Sequence, residues 1–301
     1  MSRLDAVEFT DPACSYAWGT EGKYRRFRRQ YAGLIGSWRQ VMSGIMTDTW
    51  REPLGLAEDD EKARAAHEAY LREVSALTGM PHPLPMHYVM DNSEDACRVA
   101  IAARAQGPAV AEAVLRRLRE SWFVWGRPAD SVERGLAAAA GVPGCDLERL
   151  ARDVADPATE VAYRVEWEES RRPNEHALNE PDKQPGRGAA QPHNGRMRYG
   201  LPALLLTGAD GQVTVAGWRD WSVWEQAVEL VCPGAVAAAR PRPTPAEAFA
   251  RWPLLARAEL DELCGPGAQP PADVVEHRWP GGVIWLTKAE ASTTDALSVM
   301  R

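Results

Sequence analysis

The chain has 301 residues, 45% hydrophobic and 26% charged, which excludes wholesale disorder and allows one large domain or two modest ones. Its 35 basic and 42 acidic residues give a formal charge of -7, not the balance of a general nucleic-acid binder. No stretch approaches the roughly 18 apolar residues of a membrane span. The opening MSRLDAVEFTDPACSYAWG also lacks a signal peptide's apolar core, so the cytoplasm is the expected compartment.

Residues 4–11 read as a short strand, with Val7 and Phe9 expected in one core with Leu204 and Leu206, and Asp11-Pro12 ends it. A helix follows from about 15 to 32. Its run GKYRRFRRQY spaces Tyr24, Phe27 and Tyr31 along one face and leaves Arg25, Arg26, Arg28 and Arg29 expected mostly in solvent. Residues 34–42 look like a second, parallel strand. From 58 to 171 the chain turns Ala-, Glu- and Arg-rich and reads as helices at 58–78, 93–106, 108–124, 130–140, 146–155 and 157–171, punctuated by Gly-Pro turns. Residues 172–197 carry few large apolar side chains and read as an exposed, mobile loop. YGLPALLLTG and QVTVAGW then form a hairpin, and 221–231 a helix with Trp221, Trp224, Val228 and Val231 spaced for burial. Beyond a Pro/Ala-rich linker, PTPAEAFARW and LLARAELDELCG read as two helices and VVEHRW-PGG-VIWLTK as a hairpin. That is a winged-helix-like remnant. GPGAQPPAD stands where a recognition helix would be needed, so it reads as a packing or partner-binding appendage.

Five scattered cysteines (Cys14, Cys97, Cys145, Cys232, Cys264) form neither a zinc framework nor a secreted disulfide scaffold. The Met/His-rich stretch from Met80 to Met90 could suit a soft metal, but its prolines mark a loop and Met is common core filler, so no metal site is assigned. Twelve Trp against four Phe imply a Trp-rich core or an aromatic cleft, and Trp18, Trp38, Trp122, Trp125 and Trp167 are the candidates for a cleft between lobes. Cys14 stands at the first turn of a helix. Free backbone N–H groups and the positive helix end favour thiolate there, so its pKa is expected below the free value of ~8.5.

The segments FTDPACSYAWG at 9–19, ACRVAIAARAQGPAVAEAVLRRLRESWFVWGRPAD at 96–130 and YGLPALLL at 199–206 resemble the DsbA family. The branch they resemble includes FrnE-type oxidoreductases, a ClpXP adaptor family and 2-hydroxychromene-2-carboxylate isomerases. The resemblance spans roughly residues 4–231. It implies an α/β thioredoxin fold with an inserted all-helical domain: 1–50 and 172–240 as the two thioredoxin halves, 51–171 as the insertion, and 241–301 as the small C-terminal module. It makes Cys14 the catalytic residue, places Pro12, Ser15, Tyr16, Trp18, Leu201 and Pro202 around the substrate, and implies a cis Leu201-Pro202 bond whose Leu201 backbone could hold an extended substrate.

The family's C-x-x-C is here Cys14-Ser15-Tyr16-Ala17, so the resolving thiol is missing. That points to a single-cysteine thiol-disulfide oxidoreductase or isomerase with no cofactor beyond a low-molecular-weight thiol as co-substrate. Its substrate would be a small molecule or a peptide, with no membrane or nucleic-acid partner expected and a homodimer left open. Two alternatives remain: a small-molecule isomerase or thiol transferase working in a Trp-lined cleft, and a non-catalytic adaptor. An accessible, acidic Cys14 favours the enzymes and a buried one the adaptor. Cys97 is the first candidate for a distant resolving thiol.

Overall fold

The computed structural model describes residues 3–46, 60–182, 186, 190–193, 195–279 and 282–298. The expected helix start at 58, the 50/51 boundary and the Pro280-Gly281 turn lie outside them. In chain order the elements are β1 (Leu4–Thr10), α1 (Ser15–Gln30), β2 (Ile35–Met42), α2 (Asp60–Thr78), α3 (Glu94–Ala102), α4 (Pro108–Phe123), α5 (Val132–Ala139), α6 (Leu147–Ala155) and α7 (Pro157–Ser170). There follow α8 (Glu175–Asn179), β3 (Ala190–His193), β4 (Arg196–Tyr199), β5 (Ala203–Gly208), β6 (Gly211–Ala216), α9 (Trp221–Val231), α10 (Pro245–Arg251), β7 (Leu254–Ala256), α11 (Arg257–Cys264), β8 (Val275–Trp279), β9 (Gly282–Leu286) and α12 (Lys288–Ser298).

The central sheet has the order β2-β1-β5-β6. β1 runs parallel to β2 and antiparallel to β5, and β5 antiparallel to β6. This is a thioredoxin-type sheet whose strands come from the two ends of the helical insertion. The insertion has its own core of α3, α4, α5, α6 and α7, including Cys97, Val99, Leu115, Leu118, Leu150 and Tyr163.

Strand alternation corrects one expectation. Facing partners in the β1–β5 ladder are Val7 with Leu205 and Phe9 with Ala203, while Leu204 and Leu206 face Glu8 and Ala6. Because successive side chains point to opposite faces, Leu204 and Leu206 join Leu4, Ala6, Tyr24, Phe27, Trp224 and Val228 beneath α1 and α9. Val7 and Phe9 line the other face, with Tyr199, Leu201 and Ala203.

Residues 172–197 are not one irregular loop. Asn174 caps α8, its Oδ1 accepting the Ala177 N–H at 2.9 Å, and Ala177 is buried against the sheet. β3 and β4 form a hairpin whose last residue, Tyr199, stacks on Phe9 at 3.8 Å. The apolar signal missed here rests on two residues spaced too far apart to show a period.

The C-terminal module also differs from expectation. Leu254–Ala256 is a strand, not part of a helix, and gives a three-stranded sheet β7-β9-β8; α12 follows the hairpin. The module is no loose appendage. Leu254, Ala256, Ile284 and Leu286 share a core with Trp18, Leu71, Met80, Trp122 and Phe123. Helix α11 packs on α1 where Gly22 permits close approach: a Cβ there would stand 3.2 Å from the Glu259 Cα. The arginines of α1 therefore do not all face solvent. Arg25 pairs with Glu259 at 3.0 Å and Arg26 with Glu262 at 2.6 Å, both guanidiniums buried under α11.

Candidate active site

Helix α1 starts at Ser15 because three local interactions stop β1 and turn the chain. The Asp11 Oδ1 accepts the Ala13 N–H at 2.8 Å, and the Cys14 N–H donates to the Asp11 carbonyl at 3.2 Å. Cys14 is the extended N-cap, and its Sγ accepts the Ala17 N–H at 3.4 Å. Across from it the Leu201-Pro202 peptide is cis, and Leu201 and Cys14 belong to the same apolar cluster as Phe9, Tyr199 and Ala203. Ser15 Oγ lies 3.0 Å from the hydroxyl of Tyr70 on α2, and the Tyr16 and Tyr70 rings meet edge to face.

The electrostatics overturn the expectation of an acidic thiol. Cys14 is only 6% exposed. Burial pushes its pKa up to about 11, against the help of the Ala17 N–H; the nearby Asp11 adds to the rise, while Arg198 and Arg119 act the other way. One amide and a helix end do not replace the water a thiolate loses.

Two buried acids lie on β1 and the turn after it, Asp11 close to the thiol and Glu8 beside an arginine, Arg119. Asp11 Oδ2 accepts from the Ile45 N–H at 2.9 Å, Ser93 Oγ at 3.1 Å and the Cys97 thiol at 3.6 Å, joining the end of β1 to the helical lobe. Glu8 lies on the α1 face of β1, its Oε2 accepting from Trp38 Nε1 at 3.2 Å and Gln40 Nε2 at 3.1 Å. Burial raises its carboxyl, with Arg119 opposing at 3.6 Å. Arg119 reaches on to Glu21 and the Thr10 hydroxyl. Burial alone would raise Glu21 as well, but Arg119, Arg116 and Arg25 hold it at about 2. Among the described residues, no group of three or more His, Cys, Asp or Glu is arranged to hold a metal ion. None of their helices is long and apolar enough to cross a membrane.

A DSBA-like thioredoxin domain matches residues 6–172, more than half of the chain. The chain belongs to the DSBA-like thioredoxin domain family. Solved structures agree on the fold. A candidate protein disulfide isomerase from Nitrosomonas europaea superimposes with a TM-score of 0.56 at 15% identity, over 75% of this chain and 96% of that one. A candidate DsbA oxidoreductase from Streptomyces coelicolor gives 0.51 at 17% identity, over 80% and 93%. No curated protein matches the sequence.

In this DSBA-like chain the expected site residues divide. Cys14, Ser15, Tyr16, Leu201 and Pro202 meet at the α1 N-terminus, although of these only Tyr16 is more than slightly exposed. Pro12 is buried in the turn before Cys14. Trp18 does not line a substrate cleft. It is fully buried, donates to the Pro81 carbonyl at 2.8 Å, stacks on Phe123 and carries the Arg116 guanidinium over its ring, 4.3 Å from the centroid. Its i+4 spacing from Cys14 gives the same helix face only approximately, and that face turns into the core.

The other tryptophans scatter too. Trp122 shares the Trp18 core and Trp125 packs against it, while Trp38 lies against the α1–α9 core and Trp167 against the helical lobe. The Trp-lined cleft is therefore not formed. Met80, Met86 and Met90 are core residues, and His82 is buried with its Nδ1 3.1 Å from the Met80 carbonyl.

Sequence reading missed Arg119, Tyr70 and Arg198 as neighbours of the thiol, and Glu8 as the buried acid facing Arg119. Glu8 alone left a trace. In LDAVE, an acid falls on the parity of Leu4 and Ala6, the face that a strand of this kind buries.

Proposed function

We propose that this protein carries out thiol–disulfide exchange or thiol-assisted isomerisation through Cys14 alone, in the cytoplasm, on a small-molecule or peptide disulfide. The observation that carries this reading is Cys14 at the α1 N-cap, its sulfur bonded by the Ala17 N–H and clustered with Leu201 of the cis Leu201-Pro202 peptide, with Ala17 where a second cysteine would stand. Cys14 gives its proton to solvent and attacks one sulfur of the disulfide. The S–S bond breaks, and the departing thiolate takes up a proton. An external low-molecular-weight thiol then attacks the mixed disulfide and restores Cys14. The resting site keeps the thiol protonated, so the proton leaves only as substrate displaces the cover over the sulfur.

Trapping tests the reading. With external thiol scarce, wild type accumulates a mixed disulfide at Cys14 with no second cysteine mutated, and insulin reduction is slow. Ala17→Cys speeds it by supplying a resolving sulfur. Insulin reduction by wild type as fast as by Ala17→Cys at a limiting supply of dithiothreitol, with no mixed disulfide trapped, overturns the single-cysteine reading.

The burial of Cys14 favours a second reading, a non-catalytic adaptor that keeps the scaffold. Absence of any mixed disulfide in both wild type and Ala17→Cys selects it.

A further inference from the structure

The β3–β4 hairpin carries chemistry that the exchange reaction does not use. Gln191 faces Arg198 and His193 faces Arg196 across the ladder, so all four side chains share one side of the hairpin. Arg196 is neutralised by Glu168, at 2.9 Å through each nitrogen. Arg198 has no such partner among the described residues. Its Nη1 donates to the Tyr199 carbonyl at 2.7 Å and its Nη2 to Gln191 Oε1 at 3.2 Å, both neutral acceptors, and its buried Nε has no acceptor among the described residues.

Arg171, at the end of α7, repeats the pattern. Its guanidinium is buried, lies over the Trp167 ring at 3.7 Å and, among the described residues, donates only to neutral oxygens: the carbonyls of Trp167, Ser43 and Gly44 and the Ser170 hydroxyl. Its Nε is also unpartnered, as is the buried His193 Nε2. The three groups sit close enough to repel one another's charge, and Arg198 acts electrostatically on Cys14 and Tyr70.

A buried cation without a counter-charge costs several kcal/mol. The acid that bears on both arginines is Asp11, but its two oxygens already accept from Ala13, Ile45, Ser93 and Cys97. Among the described residues no carboxylate pairs with Arg198 or Arg171, and an incoming anion would supply that charge. We propose that Arg198, backed by Arg171 and His193, forms an anion subsite beside Cys14 that takes a carboxylate of a small thiol or disulfide substrate. The guanidinium suits a planar, bidentate oxyanion. A carboxylate held there would replace the absent counter-ion and bring its own sulfur toward Cys14. This inference rests on the exchange reaction proposed above and names its substrate class.

The experiment has two arms. In the first, the rate of mixed-disulfide formation at Cys14 is measured with dithiodiglycolate, which carries a carboxylate on each half, and with the neutral bis(2-hydroxyethyl) disulfide. The ratio of the two rates is compared with that for N-acetylcysteine in solution. Wild type should favour the anionic probe by about 10-fold over the solution ratio, the worth of one charge-assisted contact. Arg198→Gln should bring the ratio back to the solution value, and Arg198→Lys should recover part of it in a protein of matching circular dichroism. An equal ratio in wild type and Arg198→Gln overturns the subsite.

The second arm needs no thiol chemistry. In the Cys14→Ser protein, the redox-inert thiodiglycolate is titrated while the arginine Nε–Hε resonances are followed. Arg198 should shift with saturation. A shift without exchange in the first arm retains the anion subsite and removes the exchange reading, and exchange without a shift does the reverse.

Discussion

The two halves of α1 are buried in opposite ways. At its N-terminal end, Cys14 lies among Phe9, Tyr199, Leu201 and Ala203, receives one amide hydrogen bond and is held neutral. Two turns on, Glu21, Lys23, Arg25 and Arg26 are just as hidden yet lie in ion pairs. Glu21 is ringed by Arg119, Arg116 and Arg25, Lys23 and Arg26 meet Glu262, and Arg25 meets Glu259. Burial alone does not decide ionisation. A matched opposite charge at hydrogen-bond distance repays desolvation, and a helix end with one amide does not.

Removing a partner from the charged half should have the largest effect. Glu259 is fully buried and takes Arg116 through both oxygens, at 3.0 and 2.9 Å, together with Arg25 and the Ala256 N–H. Glu259→Ala leaves Arg116 only Glu120 and the more distant Glu21, and Arg25 only Glu21, one carboxylate short for two buried guanidiniums, and should cost about 3–5 kcal/mol in urea unfolding. A loss under about 1 kcal/mol would mean that the α1–α11 network is well solvated and the contrast within α1 is false.

Acid should expose another group buried without a counter-charge. Burial lowers His82 to about 3, against about 6.5 unfolded, so the unfolded chain binds the extra proton. The stability of the neutral imidazole is fully present above pH 6.5 and falls as pH drops toward 3, by about 2 kcal/mol at pH 5. Glu21 contributes in a lower window, between about 4.5 and 2. His82→Phe, which keeps a ring against Phe123, should make the profile shallower between pH 6.5 and 5, where His67 and His193, both lowered to about 4, also contribute; an unchanged slope would leave the titration to those two.

Gly22→Val tests whether the charged half needs close backbone approach. The added side chain meets the Glu259 backbone and should cost about 1–3 kcal/mol through overpacking. Thermal unfolding with no shift would show that α11 has room to move.

The neutral half gives the smallest and most specific change. The iodoacetamide reactivity of Cys14, with the other four cysteines replaced by Ser, should titrate well above a free thiol. Asp11→Asn should move the midpoint down, because Asp11 adds to the rise. A wild-type midpoint below that of a free thiol would restore the acidic-cysteine expectation and refute the desolvation argument.

Much of the fold was legible because its signals are local. Asp11-Pro12 and the Tyr24/Phe27/Tyr31 spacing mark the strand–helix switch, and all three rings lie in one core as the period requires. The helical insertion showed in its Ala-rich periodicity and Gly-Pro breaks. The 172–199 region was misread because its structure comes from long-range contacts: Tyr199 on Phe9, Ala177 on the sheet, and Asn174 Nδ2 donating to Thr214 Oγ1 at 3.2 Å. Trp18 and the α1 arginines were misplaced for a similar reason. Composition does not say what covers a helix face, and here α2, α4 and α11 all do.

By itself the sequence determined the thioredoxin frame, the place of Cys14 at the start of α1 and the loss of its partner thiol at Ala17. These depend on residue order and on interactions within one helical turn. The tertiary structure alone decided how far that sulfur is desolvated, which tryptophans are core and which arginines meet no carboxylate among the described residues. Desolvation and charge pairing depend on groups from distant segments, Tyr70, Arg119, Tyr199 and Leu201 around the sulfur and Glu259 and Glu262 along the helix, and no local pattern around Cys14 encodes them.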